Sequence, residues 1–104
     1  MRAARNKSML VVAGVLLIAS QSSHAGQAEQ IIGGIDAVIV GCGPVDPKSA
    51  KTGAEMLERE RVQRKLDLAV VRNSDDYKAV YNTELNRLLA MPPKSRIQAC
   101  QTVW

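Results

Sequence analysis

Along this chain apolar residues recur at helical spacing in successive stretches, preceded by one run that is apolar throughout. That run, residues 9–19 (MLVVAGVLLIA), carries no charge. Over residues 27–40 the apolar positions Ala28, Ile31, Ile32, Ile35, Val38 and Ile39 fall at three- and four-residue intervals. Glu29, Gln30, Gly33 and Asp36 take the other side, which predicts a helix. The Gly33-Gly34 pair weakens a helix by roughly 1 kcal/mol per glycine relative to alanine, so a short strand over 35–40 is the alternative. The same small residues could let a second helix approach closely. Gly41 and Gly43 suit positive φ at a helix end, and Pro44 cannot continue the helix.

The second helix has two possible starts: Asp46 as cap with Pro47 in the first turn, or Thr52 as cap with Glu55 three residues on. Gly53 favours the later start, so the expected span is 52–72. Its centre, residues 58–65 (ERERVQRK), holds only Val62 as an apolar residue. The pairs Glu55/Arg59, Glu60/Arg64 and Glu58/Arg61 are spaced to support it from within. Such a face is either simply solvated or turned toward a partner. Ser74 is the expected cap of a third helix, with Asp75 and Asp76 in its first turn. Tyr77, Val80, Tyr81, Leu85, Leu88 and Leu89 form its apolar stripe, read as core, with a tyrosine-lined ligand groove as the alternative. Met91-Pro92-Pro93 ends it. A last helix puts Ile97, Cys100 and Trp104 on one face, with Trp104 either plugging the core or exposed as a binding hot spot.

The fold class expected is therefore all-α: an irregular bundle of about four helices. Residues 1–25 read as a signal peptide. Arg2, Arg5 and Lys7 form a basic start, the apolar run is of the right length, and Ser23 and Ala25 are the small residues before a cut after Ala25. Residues 26–104 then form a single small helical domain, exported to the periplasm or secreted. A lipid-modified Cys42 is disfavoured because Asp36 would lie inside the inserted segment.

Composition matters mainly after that cut. The chain has 14 Lys+Arg against 10 Asp+Glu, but three of the cations lie in the leader, so the remainder is close to neutral. Nucleic-acid binding, which needs a concentrated excess of Lys and Arg, is not expected. The single histidine, His24, also falls in the leader. Without it there is no imidazole for a nucleophile–base pair and no ligand set for a structural zinc, so no catalytic, cofactor or metal site is assigned. No P-loop or dinucleotide-binding pattern surrounds Gly41 or Gly43.

A domain of roughly 80 residues with an aliphatic core is marginal on its own, and exported domains of this size are commonly stapled. Cys42 and Cys100, the two cysteines, are the expected staple. The function class expected is a small binding protein of the cell envelope, such as an immunity or inhibitor protein or an adaptor. Its partner would be another protein, with no stable membrane insertion of the mature chain. The candidate partner surface is Arg59, Arg61, Arg64, Lys65 and Trp104. In general plan the chain is similar to the small periplasmic HdeA-type acid-stress chaperones, helical and with one disulfide between distant cysteines. The likeness in residues is confined to Ile97-Gln98-Ala99-Cys100, and what it implies is a stress-chaperone alternative. A thiol–disulfide redox role for Cys42 and Cys100 is the other alternative.

Overall fold

The computed structural model describes residues 26–104. The expected leader and its cut lie outside the described residues. Five helices follow one another: α1 (Gln27–Cys42), α2 (Pro47–Gln63), α3 (Leu68–Arg72), α4 (Asp75–Leu89) and α5 (Pro93–Thr102). Among the described residues none is long and apolar enough to cross a membrane.

Helix α1 is the centre of the bundle. Ile32, Gly33, Ile35, Asp36, Ala37, Val38, Gly41 and Cys42 are all buried, which covers more than one face and needs partners on several sides. The strand alternative for 35–40 is thereby replaced by continuous helix. Helix α4 makes the most extensive contact with it, and α2 the next. The α1–α4 pair is parallel: Gly33 lies against Tyr77 and Tyr81, and Gly41 against Leu85 and Leu88. Helix α2 runs antiparallel, with Gly53 against Ile39 and Leu57 packed near Ile32.

Glycines set how near these helices come. A Cβ on Gly33 would stand 2.8 Å from the Tyr77 carbonyl oxygen, and one on Gly41 2.9 Å from Leu88 Cδ1. Both distances are closer than packed carbons tolerate, so α1 and α4 meet backbone to backbone at one point and backbone to side chain at the other. The positive φ expected at Gly41 and Gly43 does not occur; no described glycine has one. Gly41 lies within α1 and Gly43 caps it at φ −49°. At Gly53, likewise, the glycine makes room for Ile39 and the Trp104 ring. It does not delay the helix.

Helix α2 therefore begins at Pro47, whose missing N–H falls where no helical partner exists. Thr52 sits inside it, its hydroxyl donating to the Lys48 carbonyl. The helix expected to reach Arg72 stops at Gln63. There Lys65 takes φ 53°, the Leu66 N–H donates to the Arg61 carbonyl and the Lys65 N–H to the Val62 carbonyl. This is a Schellman closure with lysine where glycine is usual. Its driving force is Leu66, which turns inward with Leu68 onto the cluster of Ile32, Val71 and Tyr77. Asp67 then caps α3 through a hydrogen bond from the Ala69 N–H.

The Ser74 cap forms as expected, accepting from the Tyr77 N–H. Of the α4 stripe, Tyr77 and Leu88 are buried while Leu89 is exposed. At the far end Cys42 and Cys100 are disulfide-bonded, with Cα atoms 5.7 Å apart. Val38 and Leu88 close over them. The Ser49 hydroxyl donates to the Cys100 carbonyl and the Trp104 indole N–H to the Ser49 carbonyl. Helix α5 ends at Thr102, so Trp104 reaches this place from beyond the helix and not from its Cys100 face.

Two stability predictions follow from these features. The bond joins residues 58 apart in sequence, and in the chain-entropy model such a loop contributes about 4 kcal/mol. Cys42→Ser or Cys100→Ser should abolish or sharply lower the urea midpoint; a shift of a degree or two in Tm would contradict this. Lys65→Gly should raise stability by about 1 kcal/mol by relieving a side chain in the left-handed region, as read from the same urea titration.

Candidate functional site

Three arrangements on this scaffold carry chemistry or surface that the core alone does not require. The first is a groove of about 520 Å³ between the parallel helices α1 and α4. Ile31, Ile35 and Val38 form one wall, and Ala79, Val80 and Thr83 the other. Trp104 and Val103 stand at one end, and both are among the exposed large apolar residues. Glu84 is the one charged residue lining the groove. Its carboxyl is held below the usual range by a hydrogen bond from Arg87.

Gly34 also lines this groove. A Cβ there would meet nothing within 4 Å. Gly33, Gly41 and Gly53 are each accounted for by a close neighbour in the chain. Gly34 is not, although it weakens α1 by roughly 1 kcal/mol relative to alanine. It leaves the α1 backbone open to whatever enters the groove.

The second arrangement is a buried polar centre beside the cluster of Ile32, Val71 and Tyr77. Asp36 is 8% exposed. It accepts from Arg72 Nε at 2.9 Å and Nη2 at 3.2 Å, and from the Tyr77 hydroxyl at 2.7 Å. These bonds join α1, α3 and α4. Burial, and then the hydrogen bond to Asp36, push the Tyr77 hydroxyl up to about 12. The Asp36 hydrogen bond likewise raises Arg72. Asp36 had been placed on the polar side of α1, and the tyrosine-lined groove does not form: Tyr77 faces this carboxylate and its ring stacks on Tyr81, centroids 5.6 Å apart. With its partners satisfied, the centre is a structural tie. It presents no free base or nucleophile.

The third is the charged half of α2. Arg61 is bound to Glu58 and Arg64 to Glu60. The hydrogen bond from Arg61 holds the exposed Glu58 carboxyl below its ordinary value. Among the described residues no ion pair joins Glu55 to Arg59, and Arg59 and Lys65 are exposed. Trp104 does not belong to this face. It rests on Gly53, and Gly53 and Arg61 stand about 12 Å apart along the α2 axis. The five residues expected to form one partner surface thus divide into a largely ion-paired face of α2 and a tryptophan at the groove.

What sequence reading missed is the groove itself, because it arises from the parallel docking of α1 on α4, which no local pattern encodes. The adjacent glycines were the available signal: one is needed for that docking and the next faces outward. Comparison of the chain with protein-family models, with curated proteins and with solved structures finds no match.

The tie has a measurable alkaline signature. Tyr77 is raised from 10.0 to about 12, so its contribution is complete below pH 10 and is lost as pH rises toward 12. The loss is of order 2 kcal/mol. Tyr77→Phe should be less stable at pH 8 and should show a shallower decline between pH 10 and 12 than the parent, as followed by circular dichroism in urea.

Proposed function

We propose that the chain is an exported, non-catalytic binding protein of the cell envelope, released by a cut after Ala25. Its α1–α4 groove would receive an amphipathic helix from a partner protein, as an immunity protein, inhibitor or adaptor would. The observation that carries this reading is Gly34: an unfilled glycine in the wall of an apolar groove, with the Trp104 side chain standing half exposed at its end. Helix-in-groove recognition uses apolar anchors at one-turn intervals, and the spacing of Ile31, Ile35 and Val38 supplies matching sites.

The compartment is supported by the disulfide, which persists where thiols are oxidised. The redox alternative draws less support. Both cysteines are 1% exposed and lie in the last turns of α1 and α5, where the helix dipole disfavours a thiolate. The chaperone alternative rests on general plan alone.

Gly34→Leu tests the reading without disturbing the fold, since its Cβ has open space. A photoreactive residue at Val80 should crosslink a discrete partner in the native envelope, and Gly34→Leu should remove that crosslink while leaving the unfolding midpoint no lower than that of the parent, since helix propensity rises. Arg59→Glu with Lys65→Glu should leave it in place. The opposite pattern would move the binding surface to the charged half of α2.

A further inference from the structure

The start of α1 holds a carboxylate arrangement that neither core packing nor the groove explains. Gly26 is buried and is the N-cap of α1, with no side-chain hydrogen bond. A Cβ on it would stand 2.5 Å from Asp76 Oδ2 and 3.3 Å from Asp76 Cγ. Asp76 belongs to the first turn of α4, so a carboxylate from a neighbouring helix is held directly against the Gly26 backbone. Glu29 occupies the third helical position, from which a carboxylate reaches back to the N-cap nitrogen in a capping box. Its buried Oε2 has no hydrogen-bond partner. In a continuous chain the Gly26 nitrogen offers a single N–H.

We infer that processing after Ala25 completes this arrangement: the α-ammonium of Gly26, once freed, becomes the cation that Asp76 and Glu29 bind, tying α1 to α4 in the mature chain. The inference rests on the cut proposed above. Hydrolysis by a peptidase adds one water across the Ala25–Gly26 peptide bond, leaving a carboxylate on Ala25 and an ammonium on Gly26. That ammonium has three donors. Alone at a helix N-terminus it would oppose the macrodipole, and the two carboxylates reverse the sign. Glycine at this position follows as well, because any side chain would displace Asp76.

The surrounding charges leave the place for a cation open. From α1 come Glu29 and the neutral Gln30, and from α4 Asp75 and Asp76, while Tyr77 is turned to Asp36. At the adjoining end of α2, Arg61 and Arg64 are bound to Glu58 and Glu60, and Lys65 is exposed. In α3, Arg72 is bound to Asp36 and Asp67 caps its own helix. Among the described residues no ion pair includes Glu29, Asp75 or Asp76.

The test uses protein purified from its own envelope. N-terminal sequencing should read Gly26 first; another first residue overturns the cut and the inference with it. On the same material the α-amine should titrate above its ordinary range of about 7.7–8.0. Because the folded value is the higher one, stability should be full below that range and fall as pH rises through the folded value. Selective acylation of the α-amine should erase this pH dependence, and Asp76→Asn and Glu29→Gln should each diminish it. The Tyr77 titration lies well above this window. An α-amine that starts at Gly26 yet titrates in the ordinary range, with stability indifferent to acylation, would overturn the inference and leave the cut standing.

Discussion

Everything in this fold depends on covering α1. A helix with isoleucine, valine, alanine and glycine on several faces is stable in water only when other helices take up those faces. Helices α2 and α4 do so from two sides, and the disulfide fixes α5 across the end. The glycines convert that requirement into geometry. Gly33 and Gly41 bring α4 close along one line and Gly53 admits Ile39 from α1 into α2. A larger residue at any of these would push a helix outward and leave gaps beside it, which costs both lost contacts and cavity. The bundle is thus held by near approach of backbones as much as by large side chains, in keeping with a core whose largest fully buried members include Ile32, Leu88 and the two cysteines.

The buried carboxylate answers a different need. Helix α3 is five residues long, too short to hold its place by its own hydrogen bonding. Val71 anchors it in the core and Arg72 fastens it to Asp36. Since Asp36 also accepts from Tyr77, one side chain coordinates the positions of three helices. Buried polar groups stabilise little in net terms but penalise arrangements that leave them unpaired. Here the penalty falls on any register of α4 against α1 that would separate Tyr77 from Asp36, so the polar centre selects the same docking that the glycines permit.

How far the fold could be read from residues alone follows from the range of each signal. Caps and breaks act within a few residues, and Ser74 and Met91-Pro92-Pro93 mark the boundaries expected of them, whereas the start at Pro47 was passed over for Thr52 because Gly53 reads locally as a break. The all-α class and the Cys42–Cys100 staple were equally legible. The end of α2 was not, because its closing residue is Lys65, which gives no sign of left-handed backbone; the pull comes from Leu66 meeting a core built from distant segments. Asp36 was misplaced for a related reason. On a wheel of α1 it falls beside Glu29, yet the partners that make its burial tolerable sit 36 and 41 residues further on. At the candidate site, the cationic residues of α2 and Trp104 could be named but not located relative to each other.

The groove is a consequence of the same parallel docking. Two helices in contact along one line diverge on either side of it, and α2 and α3 fill the space on one side only. On the other, the walls are the remaining apolar positions of α1 and α4, which the hydrophobic pattern of each helix supplies whether or not a third helix covers them. Further burial within the chain would have been simple to achieve with a leucine at position 34, where the space is open. A glycine there keeps the groove deep at the cost of helix propensity. That exchange is intelligible if the missing third helix is brought by another protein, and it places the tryptophan at the groove end where a docking helix would meet it.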